Sequence, residues 1–332
     1  MNAGFRHHGG RLADACARFG GGPSQWLDLS TGINPVAWQV PEDVAVDWRA
    51  LPEPAALARL ERVAAAHFGC PPSLCAAVPG SETGLRLVAR LLGLPGLYRP
   101  PAYGTYRAAF AQAGAIADFA DLPDRATALV LGNPNNPDGH VMPPADLLAL
   151  LGHQQRHEGW LIVDEAFADC DPGTSIAAEV AAGRRLVVVR SFGKFFGLAG
   201  LRLGFVIAPQ DVLQALRDAL GDWPVHAAAL AIGAAAYADA TWISHTRRDL
   251  VARAAALDGL LERHGLRPGG ACPLFRLITA PRAGDWFAPL ARRHILTRPF
   301  ADDADRLRVG LPPDHAALER LDRALAEVRA DG

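Results

Sequence analysis

The chain has 332 residues, half of them hydrophobic, and it can therefore bury a large core, as one large domain with a smaller one. Its 33 basic and 35 acidic residues are mixed along the sequence and give a net charge of -2, which argues against a nucleic-acid-binding protein and favours a small substrate. Five cysteines without metal-ligand spacing are typical of reduced thiols, and no segment resembles a signal peptide or membrane span, so we expect a cytoplasmic protein.

The amino-terminal and central segments predict an N-terminal arm followed by a large α/β domain. Residues 1–40 form the arm, with a helix over 10–19 and a short strand ending at Ser30. Four apolar runs end at polar or glycine residues, as buried parallel strands do, at 127–131, 160–163, 186–189 and 203–207. A leucine stripe over 145–157 indicates a helix between two of them. Alternating strands and helices predict an open sheet, whose ligand lies at the carboxyl ends of the strands.

The pattern changes near Pro209 to long helices rich in alanine and leucine, which continue to about His264. Strands are then predicted at 273–279 and 306–311, and a closing helix at 316–329. These elements indicate a small C-terminal α+β domain. We therefore divide the chain into the arm at 1–40, the large domain at 41–220 and the small domain at 221–332.

Lys194 is the only lysine of the chain, since the other 32 basic residues are arginines. It lies just after a predicted strand, between Gly193 and Gly197. A Schiff base requires a primary amine that can lose its proton, which the guanidinium of arginine does not offer. The position of this one lysine therefore predicts covalent binding of a carbonyl compound.

Two other polar groups follow the neighbouring strands. Asp164 ends a predicted buried strand, where a carboxylate is costly unless it meets a cation such as a protonated pyridine nitrogen, or unless it caps a helix. Asn136 lies in a loop rich in proline, asparagine and glycine, where it is placed to donate to a phenolic oxygen, although an ordinary turn explains the same composition. Together with Lys194, these side chains predict pyridoxal 5'-phosphate as the cofactor.

A phosphate group needs hydrogen-bond donors, and the chain offers two sets. The Pro-Gly-Ser81-Glu82-Thr turn precedes a helical stretch over 85–92, whose first amides would face an anion. Ser191 and Arg202 flank the lysine segment and add a hydroxyl and a guanidinium. Tyr103 is a candidate to stack on the cofactor ring, with a core position for it or for Tyr106 as the alternative.

In their order and spacing these motifs resemble the fold-type I pyridoxal-phosphate enzymes of the class I/II aminotransferase superfamily across nearly the whole chain. The resemblance implies the aspartate aminotransferase fold, with a large three-layer domain and a small α+β domain, and a homodimer. It implies Lys194 as the Schiff-base lysine, Asp164 as the pyridinium partner and Asn136 as the ligand of the phenolic oxygen. The implied phosphate ligands are Ser81, Glu82, Ser191 and Arg202.

Residues outside the cofactor ligands resemble a narrower branch, the L-threonine-O-3-phosphate decarboxylases of cobalamin biosynthesis, in the motifs His-Gly-Gly and Asp-Leu-Ser-Thr-Gly-Ile-Asn-Pro. This resemblance implies decarboxylation to (R)-1-aminopropan-2-ol O-phosphate, with Lys194 returning a proton to Cα. Arg308 would bind the substrate carboxylate, an exposed arginine at a strand end being the alternative. The candidates for the substrate phosphate are His8, Arg11, Asn34 and Arg298.

The same cofactor ligands also occur in histidinol-phosphate aminotransferases, which remain the alternative, whereas a non-catalytic regulator of this fold would need a DNA-binding segment. Two positions depart from the pattern of relatives. Leu51 stands where a tyrosine commonly reaches the cofactor phosphate of the partner subunit, and Gly193 stands where serine or threonine often precedes the lysine. Both departures remove hydroxyl donors and predict weaker cofactor binding or another donor.

Overall fold

The computed structural model describes residues 3–5 and 9–330. Eleven α-helices occur in the described chain: α1 Leu12–Phe19, α2 Pro54–Phe68, α3 Ser81–Leu92, α4 Gly104–Ala109, α5 Pro144–Arg156, α6 Phe192–Phe195, α7 Gln210–Leu220, α8 Ala227–Ala238, α9 Ala240–Arg263, α10 Phe287–Arg292 and α11 His315–Ala330. Its thirteen strands are β1 Leu27–Asp28, β2 Cys75–Val78, β3 Gly96–Tyr98, β4 Ala113–Ala115, β5 Ala128–Gly132, β6 Trp160–Asp164, β7 Leu186–Ser191, β8 Gly204–Ile207, β9 Pro268–Gly269, β10 Phe275–Thr279, β11 Ile295–Leu296, β12 Arg298–Pro299 and β13 Arg306–Gly310. No helix in these described ranges is long and apolar enough to span a bilayer.

The contacts divide the chain into two compact units. The larger contains residues 37–136 and 140–245, and the smaller contains 137–139, 246–330 and the described part of 1–36. Residues 221–245 lie in the larger unit because α8 packs against α2. The division of the chain at 40/41 and 220/221 stays a prediction.

A seven-stranded sheet forms the centre of the larger unit, in the order β2-β8-β7-β6-β5-β3-β4. Strands β7, β6, β5, β3 and β4 are parallel; the apolar runs predict the first three, whereas β3 and β4 were not predicted. The prediction of a parallel strand at 203–207 is wrong, because β8 runs antiparallel to both β7 and β2. The chain leaves β7 at Ser191 and enters β8 opposite it at Gly204, so residues 192–203 remain at one edge of the sheet.

The core of the larger unit follows from the residue types of its strands. Every residue of β5 and of β7 is buried, as expected for central strands covered on both faces. Alternate residues, such as Ala128 and Val130, contact the apolar face formed by α3, α4 and α7. The mixed α/β fold with a mostly parallel central sheet is therefore the predicted one.

The smaller unit contains an antiparallel sheet in the order β12-β13-β10-β9 and a separate parallel pair, β1-β11. The predicted strand at 273–279 begins two residues later, at Phe275, and the predicted closing helix is α11. The predicted amino-terminal strand is present but ends at Asp28, because Ser30 N and Oγ both bond to the Asp28 carboxylate and close a turn.

Candidate active site

Three parallel strands bring the predicted site residues of the larger unit to one edge of its sheet. Gly132 at the end of β5 pairs with Asp164 at the end of β6, and Asp164 pairs with Val189 of β7. The loop with Asn136 and the segment with Lys194 follow directly after β5 and β7. The amide of Asn136, the carboxylate of Asp164 and the amine of Lys194, which the sequence predicts to act together, therefore all lie on segments at the carboxyl edge of the sheet.

Asp164 is held by two hydrogen bonds. Tyr106 Oη donates to its Oδ2 over 3.1 Å, and the backbone N–H of Ala166 donates to Oδ1 over 3.1 Å. Burial raises the pKa of Asp164 to about 6, against the opposing effects of these two bonds and of the positive charge of Lys194. The ammonium group therefore lies close enough to Asp164 to act on its charge, and a second cation beside this carboxylate would relieve its desolvation.

Lys194 lies in the short helix α6, between the fully buried rings of Phe192 and Phe195. Its own side chain is half-buried. At Gly193, a Cβ atom would lie 2.5 Å from the Cα of Ala199, so a serine or threonine does not fit here without a backbone shift. The missing hydroxyl beside the lysine is thus a consequence of the close packing of α6 against the next turn.

The first turn of α3 lies close to Arg202 and to β8. Gly80 precedes the helix with a φ of 94°, and a Cβ on it would lie 2.7 Å from a guanidinium nitrogen of Arg202. A Cβ on Gly204 would lie 2.4 Å from the amide nitrogen of Ser81. Two glycines therefore let an arginine and a strand approach the amides of a helix amino terminus, where the helix dipole favours a negative charge.

Glu82, predicted as a phosphate ligand, uses its carboxylate elsewhere. Arg86 Nη2 donates to Glu82 Oε1 over 2.8 Å, and the hydroxyls of Thr105 and Tyr103 donate over 3.2 and 3.3 Å. Burial is the largest single effect and opposes ionisation, but the bond and charge of Arg86 together with the two hydroxyl bonds outweigh it and lower the pKa of Glu82. An ionised carboxylate repels phosphate, so the backbone N–H of Glu82 is the group that remains for that role.

The two tyrosines have different surroundings. Tyr106 is fully buried, and its bond to Asp164 was missed from the sequence, where it appeared only as a possible core residue. Tyr103 is half-buried, with its ring 5.8 Å from that of Tyr106 at 89°. Burial is the main cause that raises the pKa of Tyr103, and the charges of Glu82 and Asp164 act in the same direction. Tyr103 therefore lies beside the carboxylates of the site.

Two asparagines hold the loop after β5 in place through hydrogen bonds to backbone carbonyl oxygens. Asn133 is fully buried and donates to the carbonyl oxygens of Met142 and Thr174 over 3.1 and 3.0 Å. Asn135 donates to the carbonyl of Pro101 over 2.9 Å. Asn136 is half-buried on the same loop. The bonds of Asn133 and Asn135 thus fix the conformation of the loop that carries Asn136.

A buried ion cluster adjoins the site residues, and the sequence analysis did not predict it. Arg190 Nη1 is 2.7 Å from Glu165 Oε2, and its other terminal nitrogen bonds to Asp169. Because Arg190 precedes Ser191 and Glu165 follows Asp164, the cluster joins the ends of β6 and β7 that present the site. Its guanidinium also lies 4.5 Å above the ring of Phe68.

The remaining predicted residues that the structure describes belong to the smaller unit, apart from Leu51, which is an exposed residue of the larger one. Arg308 is buried on β13, where its Nη2 donates to the carbonyl of Ser30 over 2.8 Å, so the alternative of an exposed strand-end arginine is wrong. Arg298 and Asn34 are also buried, and Asn34 Oδ1 accepts from the N–H of Val36.

Two further residues, Arg11 and His8, were predicted to bind the substrate phosphate. Arg11 is exposed and forms an ion pair with Asp14 on the first turn of α1. His8 lies outside the described residues. The structure thus describes Arg11 as a surface residue and leaves His8 as a prediction from the sequence.

Known proteins resemble this chain in sequence and in fold. Residues 101–325 match the family described as aminotransferase class I and II. The chain is similar to a threonine-phosphate decarboxylase of Sinorhizobium sp., with 40% identity covering 97% of this chain and 98% of the relative. A threonine-phosphate decarboxylase of Pseudomonas aeruginosa is 41% identical, covering 96% of each chain. The solved structure of the histidinol-phosphate aminotransferase from Clostridium acetobutylicum has a TM-score of 0.82 at 19% identity, covering 92% of this chain and 100% of that one.

Proposed function

The chain belongs to the class I and II aminotransferase family, and from this membership we propose that it decarboxylates L-threonine O-3-phosphate to (R)-1-aminopropan-2-ol O-phosphate with pyridoxal 5'-phosphate as cofactor. The observation that supports the reaction most strongly is the identity of 40% and 41%, over nearly the full length, to two proteins named threonine-phosphate decarboxylase. Such a reaction belongs to the biosynthesis of cobalamin.

The residues of the larger unit fit this cofactor. Its phosphate would be bound at the amino terminus of α3 by the backbone N–H groups of Ser81 and Glu82, by the guanidinium of Arg202 and by the hydroxyl of Ser191. The approach of Arg202 to Gly80, where a Cβ would lie 2.7 Å from its guanidinium, is the structural observation that supports this assignment. Asn136 would bind the phenolic oxygen, and Tyr103 would stack on the ring.

Asp164 would hold a protonated ring nitrogen. Its carboxylate has a pKa of about 6 without such a partner, because burial disfavours its charge. A cation beside it would lower that pKa and keep the carboxylate ionised at neutral pH. Tyr106 orients the carboxylate through the bond to Oδ2. When bound, the cofactor supplies an electron sink for the pair left by the departing carboxylate.

Lys194 has two functions in this proposal. Its amine would hold the cofactor covalently in the resting enzyme, and the same amine would deliver a proton to Cα after carbon dioxide has left. For the substrate, we propose that Arg308 binds the carboxylate and that Asn34, Arg298 and His8 bind the phosphate.

Histidinol-phosphate aminotransferase activity is the second candidate. It uses the same cofactor ligands, and the structure from Clostridium acetobutylicum shows the same fold. At 19% identity, however, that likeness concerns the fold alone. We further propose a cytoplasmic homodimer, as the family resemblance implies.

The two candidates are distinguished by the fate of the substrate. Purified holoenzyme is incubated with L-threonine O-3-phosphate, and released carbon dioxide is measured while the cofactor is followed by absorption. We expect release of carbon dioxide without accumulation of the pyridoxamine form. No release, together with conversion of the cofactor to its pyridoxamine form by histidinol phosphate, would support the aminotransferase instead.

A further inference from the structure

Two histidines and an aspartate form a cluster in the larger unit, away from the residues assigned above. One potential ligand atom from each of Asp124, His153 and His157 lies within 4.8 Å of the other two. In the part of the chain that the structure describes, this is the one group of three or more such side chains that suits a metal. We propose that these three residues bind a divalent transition-metal ion, with Zn²⁺ as its representative.

The fold positions the three ligands independently of any ion. His153 and His157 are four residues apart at the end of α5 and therefore share one face of that helix. Asp124 lies just before β5, and His157 lies just before β6. Since the first residues of these strands, Ala128 and Trp160, pair directly, the parallel register brings the two preceding segments together.

The distances are compatible with coordination after a small side-chain movement. Zinc binds nitrogen and oxygen ligands at about 2.0–2.2 Å, which places tetrahedral ligand atoms roughly 3.3 Å apart. His157 Nε2 is already 3.1 Å from Asp124 Oδ1. The ring of His153 lies 4.7 Å from that of His157, and its Nε2 has one long contact of 3.4 Å with the carbonyl of Pro123. Because that contact is weak, its loss opposes metal binding little.

The charges at this position also favour a cation. The carboxylate of Asp124 supplies one negative charge, and the carboxyl terminus of α5 adds the negative end of the helix dipole. Imidazole nitrogens select ions such as Zn²⁺ over Mg²⁺ and Ca²⁺, which prefer oxygen ligands. The side chain of Asp124 is 80% exposed, which leaves room for water to complete the coordination shell.

The proposed metal site is separate from the chemistry of the enzyme. It lies before the first residue of β6, whereas Asp164 is the last residue of that five-residue strand. At about 3.3 Å per residue, the two sites are on the order of 15 Å apart. A bound ion would join the loop before β5 to the end of α5, and we therefore assign it a stabilising role.

Isothermal titration of the holoenzyme with Zn²⁺, after removal of any purification tag, tests this site. The variants are Asp124→Asn, His153→Gln and His157→Gln. His315→Gln is the matched control, because His315 is a helical histidine whose Nε2 lies 3.2 Å from Glu319 Oε1 without a third ligand. We expect one tight Zn²⁺ per chain in the wild type and the control, and an affinity about 100-fold lower in each ligand variant, since losing even an outer-shell partner costs 10–100-fold.

A second measurement separates binding at this site from general metal affinity. The melting temperature should rise on addition of Zn²⁺ in the wild type and in His315→Gln, but not in a His153→Gln/His157→Gln protein. An equal concentration of Mg²⁺ should leave the zinc affinity unchanged. The proposal is overturned by the absence of saturable binding in the wild type, by unchanged affinity in all three ligand variants, or by equal competition from Mg²⁺.

Discussion

Replacement of Arg190 by methionine tests whether the buried ion cluster holds the site together. Arg190 and the two carboxylates of Glu165 and Asp169 are each at most 2% exposed. Methionine keeps the apolar contact with Phe68 but leaves two buried carboxylates without their shared cation. Breaking a buried pair in this way costs about 3–5 kcal/mol. For a unit of about 200 residues, this corresponds to a melting temperature lower by roughly 10 °C.

Thermal unfolding of the wild type and variant, followed by circular dichroism at several pH values, measures the effect. The pKa of Asp169 is about 2, because burial, which alone would raise it, is outweighed by the charge and hydrogen bond of Arg190 together with those of His67. Since the folded pKa lies below the unfolded value of 3.8, the wild type keeps this stabilisation above pH 4 and loses it as the pH falls towards 2. In the variant, Asp169 keeps His67 and Glu165 keeps Ser175, but both lose the charge of Arg190. Protonation then relieves the cost of burying the two carboxylates, so the difference in melting temperature should narrow as the pH falls.

The matched control is Arg184→Met, because Arg184 also pairs with a carboxylate, that of Glu179, but both side chains are 41% exposed. An exposed pair contributes about 0–1 kcal/mol, so this variant should melt within a few degrees of the wild type. The reasoning would be refuted if Arg190→Met melted as high as Arg184→Met at neutral pH. If the melting temperatures of the wild type and Arg190→Met differed by the same amount from pH 8 to pH 5, the two carboxylates that lose Arg190 would not be the cause of the difference.

Three further predictions concern the cofactor site. Gly80→Ala should weaken binding of pyridoxal 5'-phosphate about 10-fold or more, measured by fluorescence titration, because its φ of 94° and the nearby Arg202 both oppose a side chain. Lys194→Arg keeps the positive charge but should lose the visible absorption of the lysine-bound cofactor and all turnover, so retained absorption would contradict its role. In the cofactor-free protein, stability should fall as the pH rises from about 4 to 6, because the pKa of Asp164 is raised to about 6 in the folded state. This loss, on the order of 2 kcal/mol, should be absent in Asp164→Asn when unfolding is followed by urea titration.

The arrangement at the carboxyl edge was predictable because it depends on local patterns. Buried strands appear as apolar runs, and parallel neighbours place the residues after them at one edge. This explains why the common position of Asn136, Asp164 and Lys194 at that edge was predictable. The reversal of β8 was not predictable in this way. An apolar run has no direction, and the antiparallel return depends on the packing of residues 192–203 at one edge of the sheet.

Contacts between residues distant in sequence also escaped the pattern analysis. The bond from Tyr106 to Asp164 joins residues 58 positions apart, and the bonds that occupy the Glu82 carboxylate come partly from Thr105, 23 positions away. Gly204 appeared only as part of a strand, although its missing side chain admits the amide of Ser81. Such roles depend on distances across the fold, which composition and periodicity do not contain.

The fate of the substrate carboxylate and amine tests the central claim most directly. Holoenzyme is given L-threonine O-3-phosphate labelled in its carboxyl carbon and in its nitrogen, with Lys194→Ala as the inactive control. Decarboxylation predicts labelled carbon dioxide and labelled 1-aminopropan-2-ol O-phosphate in equal amounts, with the nitrogen retained in the product. Transfer of the nitrogen to the cofactor with the carboxyl carbon kept in a 2-oxo acid would contradict the account.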